Sequence, residues 1–143
     1  MRSLVVYDSF FGNTKLVAET IGEELGNDTQ VVHVSDFKKD MLKGVELLIV
    51  GSPILGWRPS EKTAAFLMSF GKDELKDINA GTFDTRVKLF FHGDATGKMS
   101  EMLKKCGATI VLKPAYFYVK GTEGPLFDDE LENAKKWIQR LEV

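Results

Sequence analysis

The stretch Val5-Val6-Tyr7-Asp8-Ser9-Phe10-Phe11-Gly12-Asn13-Thr14-Lys15 decides how the chain folds. Its opening residues are β-branched and bounded by turn formers, so Ser3 to Tyr7 reads as a strand. From Thr14 the apolar period changes. Val17, Ala18, Ile21 and Leu25 recur at helical spacing, and Gly26 is a C-terminal stop. Asn13 or Thr14 is the expected N-cap. A strand that passes through a short polar loop into a helix aims backbone N–H groups at whatever lies in front of that helix, and the helix dipole favours an anion there. Ser9, Asn13 and Thr14 add side-chain donors, and Gly12 lets the backbone approach a ligand. Neither G-x-G-x-x-G nor G-x-x-x-x-G-K-[ST] is present, and no Lys or Arg lies between Ser9 and Thr14. The loop therefore suits a terminal phosphate held by neutral donors; a bare strand-to-helix turn is the alternative.

Working outward, Gln30 to Val34 reads as a second strand, with His33 an edge-strand surface residue lacking an obvious partner. Lys38, Lys39 and Lys43 lie in a polar connection, most simply a solvated face. Glu46 to Val50 is a continuous apolar run, as in a strand covered on both faces. It empties into Gly51-Ser52-Pro53-Ile54-Leu55-Gly56-Trp57-Arg58-Pro59-Ser60, a loop shaped by Gly and Pro yet carrying apolar and aromatic residues. Ser60 caps a helix whose Thr63, Ala64, Leu67 and Phe70 share a face. Gly71 to Arg86 is polar and reads as a connection, with Asn79-Ala80-Gly81 marking a turn. Val87 to Phe91 is the fourth strand, followed by His92-Gly93-Asp94-Ala95-Thr96-Gly97 and a helix bearing Met99, Met102, Leu103 and Cys106 on one face. Cys106 there is a core thiol. Thr109 to Lys113 and Ala115 to Val119 form a fifth strand broken at Pro114, as suits an edge. Asp129 and Glu132 have capping-box spacing at the start of a last helix with a Leu131, Ala134, Ile138, Leu141 stripe.

These elements alternate as in a parallel α/β sandwich. The three unusual loops follow strands one, three and four and so lie at one end of the sheet. The 143 residues suit one domain, residues 1–143, with a real core. A net charge of −2 offers no nucleic-acid or anionic-membrane surface. One Cys provides neither a disulfide framework nor a metal cluster and fits a reducing cytosol. No signal-peptide pattern opens the chain, and no apolar run approaches the ~20 residues of a membrane span. A cytoplasmic monomer is expected.

Ser9-x-x-Gly12-Asn13-Thr14 after an N-terminal strand resembles the phosphate loop of flavodoxins, which usually reads [ST]-x-[ST]-G-N-T; here Phe11 stands at the second hydroxyl position. Gly51-Ser52-Pro53 resembles the start of that family's second flavin loop, and Gly93-Asp94 its third. The resemblance implies a flavodoxin-like three-layer sandwich with a five-stranded parallel sheet ordered 2-1-3-4-5, binding flavin mononucleotide (FMN). It places Ser9, Phe10, Phe11, Gly12, Asn13 and Thr14 at the phosphate. It places Ser52, Pro53, Ile54, Leu55, Gly56, Trp57, His92, Gly93, Asp94 and Gly97 around the ring. Leu55 occupies the family's usual Trp position, so either Trp57 or Leu55 covers one face of the ring. Gly97 occupies the family's Tyr position, and His92 either flanks the flavin or is exposed. The implied function is low-potential, single-electron transfer between redox partner proteins. The competing readings are an FMN-dependent oxidoreductase of the quinone reductase or protoporphyrinogen oxidase type, and a flavin-free interaction domain on the same fold.

Overall fold

The computed structural model describes residues 1–88 and 95–141, and of Leu55 the backbone alone. In chain order the elements are β1 (Ser3–Tyr7), α1 (Asn13–Leu25), β2 (Thr29–His33), two 3-10 turns (Val34–Asp36 and Lys39–Leu42), β3 (Leu47–Leu55), β4 (Arg58–Pro59), α2 (Glu61–Met68), β5 (Asn79–Val87), α3 (Ala95–Lys105), β6 (Thr109–Ile110), β7 (Ala115–Val119) and α4 (Glu130–Gln139).

β2, β1, β3, β5 and β6 lie side by side in that order, all parallel. β7 also pairs with β5, further along it, so β6 and β7 are two halves of one edge strand separated around Pro114. This is the expected 2-1-3-4-5 order with its broken fifth strand. The pleat sends alternate residues to opposite faces. Val5, Ile49 and Phe83 meet Val17, Ala18 and Ile21 of α1 and Ala134 and Ile138 of α4. Leu4, Val6, Leu48 and Val50 meet Phe66 and Leu67 of α2 and Met99 and Leu103 of α3. Each Val, Leu, Ile, Phe or Met among them, fully buried, contributes about 1.5–3 kcal/mol of transfer free energy. Cys106 is buried and outside any disulfide, as expected of a core thiol.

Four expectations need correction. The fourth strand is Asn79–Val87 and not Val87 to Phe91; residues 89–91 lie outside those described. Its polar residues disguised it, because their partners come from elsewhere in the chain. Thr82 Oγ1 bonds the Thr96 carbonyl at 2.9 Å and Ser100 Oγ at 2.6 Å, both on α3. Thr85 Oγ1 lies 2.7 Å from Thr14 Oγ1, and Asp84 accepts the Arg86 guanidinium. Hydrogen-bonded in this way, polar groups can enter a sheet core without an unpaired-group penalty.

The third strand runs through Gly51, Ser52, Pro53 and Ile54 to Leu55, where a loop was expected. It turns back at Gly56-Trp57 into β4, with Ile54 opposite Pro59 and Leu55 opposite Arg58. The helix α1 begins at Asn13 with Gly12 as its N-cap, in the left-handed region at φ 89° and without a side-chain cap bond. Asn13 and Thr14, the expected caps, are engaged elsewhere. At α4, Asp129 is the N-cap residue but makes no side-chain cap. Instead Glu130 accepts from the Tyr118 amide and from Asn133 Nδ2, so a carboxylate covers the edge of β7. The Ser60 cap of α2 and the Gly26 end of α1 form as read.

Candidate functional site

The C-terminal ends of β1, β3 and β5 and the start of α1 surround a cleft. Ser9, Phe10, Phe11, Asn13 and Thr14 form one side of it, and Pro53 and Ile54 of β3 another. Thr85, Arg86 and Val87 from the end of β5, with Val119 and Thr122 beyond β7, complete the wall.

The donors of this cleft follow from helix geometry. The first intrahelical bond of α1 runs from the Leu16 amide to the Gly12 carbonyl at 3.0 Å. The Asn13, Thr14 and Lys15 amides precede it and belong to the orphan N–H groups of a helix start. The loop spends some of its own groups on itself. Ser9 Oγ accepts from the Gly12 amide at 3.1 Å, and the Ser9 amide donates to Asp8 Oδ1 at 2.9 Å. Ser9 Oγ keeps its hydroxyl proton for another acceptor. The Thr14–Thr85 hydroxyl pair shares one hydrogen bond between two O–H groups, so one proton of the pair also remains to donate. Asn13 Nδ2 donates to the Glu123 carbonyl at 3.2 Å, which ties the turn bearing Thr122 to the start of α1.

Asp8 is buried just before the loop. His33, expected to stand alone, is its partner: His33 Nε2 lies 3.1 Å from Asp8 Oδ1, while Nδ1 accepts from the Ser35 amide at 3.0 Å. With Nδ1 accepting, Nε2–H is the donor and Asp8 Oδ1 the acceptor. The pairing was invisible in sequence because it joins the ends of two neighbouring strands.

Arg86 and Thr85 are the main residues that sequence reasoning missed, a direct result of the misplaced fourth strand. Placing the strand at Asn79–Val87 would have put Thr85 and Arg86 at its carboxyl end, beside the loop. Arg86 is buried. Burial works against its charge, but the hydrogen bonds and charge of Asp84 outweigh that, and its pKa lies above the ordinary guanidinium value. The cleft thus has a cation in its wall, one whose charge is offset by a carboxylate.

Of the expected ring contacts, Pro53 and Ile54 reach the cleft. Ser52 is fully buried and accepts from the Ser60 amide at 2.9 Å, so it braces β3 against α2. Gly56 and Trp57 form the tip of the β3–β4 hairpin, and the indole is 54% exposed. The Leu55 side chain and His92, Gly93 and Asp94 lie outside what is described. Gly97 is not a loop residue: it lies in the first turn of α3, against a different groove formed with Lys104, Lys105 and Pro114. Phe10 and Phe11 are half exposed beside the cleft. Among the described residues no cluster of His, Cys, Asp and Glu could hold a metal ion, and no helix is long and apolar enough to cross a membrane.

The chain as a whole is similar to known proteins. Residues 4–118 match the family model described as Flavodoxin domain. Flavodoxin 1 of Salmonella typhimurium is 25% identical, across 96% of this chain and 90% of that protein. A flavodoxin structure from the domain Archaea superposes with a TM-score of 0.75 at 26% identity, covering 96% of this chain and 94% of that one. Oxidised Flavodoxin 2 from Bacillus cereus reaches a TM-score of 0.82 at 18% identity, covering 98% and 97%.

Proposed function

We infer from its membership of the flavodoxin family, to which the chain belongs, that this protein carries electrons singly between redox partner proteins. The family is one of FMN-binding electron-transfer proteins, and FMN is the cofactor. The observation that carries the reading is the start of α1. Orphan amides and two hydroxyl protons converge on a cleft at the carboxyl end of the sheet, the chemistry that a terminal phosphate needs. The donor set fits FMN. Ser9 and Thr14, with the first amides of α1, would hold the phosphate. Pro53 and Ile54 would present an apolar wall to the ring, and Trp57 at the hairpin tip, or Leu55 before it, would cover one of its faces. FMN, once bound, supplies the redox chemistry. The chain binds it, orients it and keeps water from its buried side.

Binding titrations test this. The unmodified chain should bind FMN much more tightly than riboflavin, which lacks the phosphate. Thr14→Ala should weaken FMN by about 1.5–3 kcal/mol, the worth of a hydrogen bond to a charged group, whereas Thr14→Ser should hold most of it. Equal affinity for FMN and riboflavin would defeat the assignment.

A further inference from the structure

We propose that the β6 edge of the sheet is a docking surface for an acidic segment of a partner protein: two grooves rimmed by cations, one against α3 and one against α4, meet there at Pro114. This surface shares no lining residue with the cleft. It therefore stands apart from the FMN reading, and its test needs no flavin.

β6 ends the sheet, and among the described residues no strand pairs with its outer side. The Thr109 amide donates to the Ile78 carbonyl at 2.9 Å, and the Val111 amide to the Ala80 carbonyl at 3.0 Å. Ile110, between them, turns its own N–H and C=O outward, as residues of an open edge do. On the α3 side, Lys98, Lys104 and Lys105 rim a groove whose apolar residues include Met102 and Ile110, with Glu101 the carboxylate in its lining. On the α4 side, Lys113, Lys136 and Arg140 rim a second groove against Trp137. All six cations are exposed, and none forms an ion pair among the described residues.

Two ordinary reasons for such cations fall short. A positive charge in the last turn of a helix complements its dipole, which accounts for Lys104 and Lys105. Lys98 lies near the start of the same helix, where the dipole opposes it. Lysines also guard open edges against stray pairing. Guarding of that kind places charge on the strand itself, whereas Thr109, Ile110, Val111 and Leu112 are uncharged. The whole chain has a net charge of −2, so the concentration of cations is local to this edge. Opposite charge on a partner would be drawn to it. The apolar residues between the cations suit side chains, which a phosphate backbone lacks, and so favour a protein segment over nucleic acid.

The probe is a synthetic peptide in which Asp and Glu alternate with Leu, titrated into the isotope-labelled full chain and followed by amide chemical shifts. Shifts should concentrate from Lys98 to Pro114 and from Lys136 to Arg140, and the affinity should fall as salt rises. Lys104→Glu with Lys105→Glu should weaken binding about tenfold, and Lys113→Glu with Lys136→Glu by a similar factor. Lys104→Gln with Lys105→Gln, which removes charge without reversing it, should give a smaller loss in the same direction. Lys38→Glu with Lys43→Glu makes the same charge change in the connection after β2, the opposite edge strand, and should alter binding by less than about threefold. Shifts that map elsewhere, or a control pair that weakens binding as much as the edge pairs, would overturn the proposal. So would equal binding of a peptide with Ser in place of Leu, which would leave charge as the only attraction. Tighter binding of duplex DNA than of the peptide would overturn it by assigning the edge to a polyanion. Self-association of the unmodified chain that Lys104→Glu with Lys105→Glu abolishes would overturn it by assigning the edge to a second copy.

Discussion

Trp57 holds two unfavourable choices at once. Its backbone lies in the left-handed region at φ 68°, and its indole is largely in solvent. The left-handed region costs a bulky L-residue roughly 1–2 kcal/mol, and strain of this kind gathers where a ligand is gripped. Gly56 beside it also has positive φ, 53°, so the pair makes the tight two-residue turn whose twist matches the strands it joins. Glycine is the natural occupant of the second position in such a turn. Trp57→Gly should therefore stabilise the flavin-free protein by about 1 kcal/mol in urea titration. It should also remove most of the tryptophan quenching that FMN binding produces. The other indole, Trp137, is buried on α4 with its Nε1–H donating to the Lys113 carbonyl at 2.8 Å. Quenching that survives Trp57→Gly intact would assign the signal to Trp137 and remove Trp57 from the ring.

At the scale of elements, the joint between β3 and α2 positions both the hairpin and the cleft wall. Ser60 is fully buried there. Its Oγ accepts from the Thr63 amide at 3.2 Å and lies 2.8 Å from Thr63 Oγ1, while its own amide donates to Ser52 Oγ at 2.9 Å. One residue thus caps a helix and fastens it to the neighbouring strand. Ser60→Ala should cost about 1–2 kcal/mol by chemical denaturation, toward the upper end for a cap, since it also orphans the Thr63 hydroxyl. A loss within a few tenths of a kcal/mol would show that the cap is solvated and dispensable. Close approach constrains β3 as well. A Cβ on Gly51 would stand 2.1 Å from Cζ of the buried Phe83, so the ring packs against bare backbone.

Across the whole molecule, the parallel sheet sends the ends of β1, β3 and β5 to one side, and the loop from Ser9 to Thr14, the β3–β4 hairpin and the Asp84–Arg86 pair lie at that end. The ionisable side chain among the described lining residues is Arg86, and its guanidinium is bound to Asp84. The carrier reading proposed above sets an expectation for the loaded protein. The FMN-loaded protein alone should oxidise NADPH negligibly, a flavoprotein reductase should restore the flow, and reduction by dithionite should proceed in two resolved one-electron steps. Rapid steady turnover of NADPH and a quinone by the protein alone would promote the enzyme reading.

Much of this was legible in the chain itself. The strand of Ser3–Tyr7, the period of α1 and the Gly12-Asn13-Thr14 run are local signals, set by sterics and hydrogen bonding within a few residues. They were enough for the fold class and, by resemblance, the strand order. Tertiary structure alone decided the rest. β5 hid because Thr82, Asp84, Thr85 and Arg86 read as solvent-facing until α3, α1 and one another supply their hydrogen bonds. Asn13 and Thr14 left the capping role because distant partners, Glu123 and Thr85, claimed their side chains. The loop after β3 became a hairpin because its backbone found β5 on one side and β4 on the other. A polar residue's sequence neighbours state only what it costs to bury; whether that cost is met depends on groups the fold brings from far along the chain.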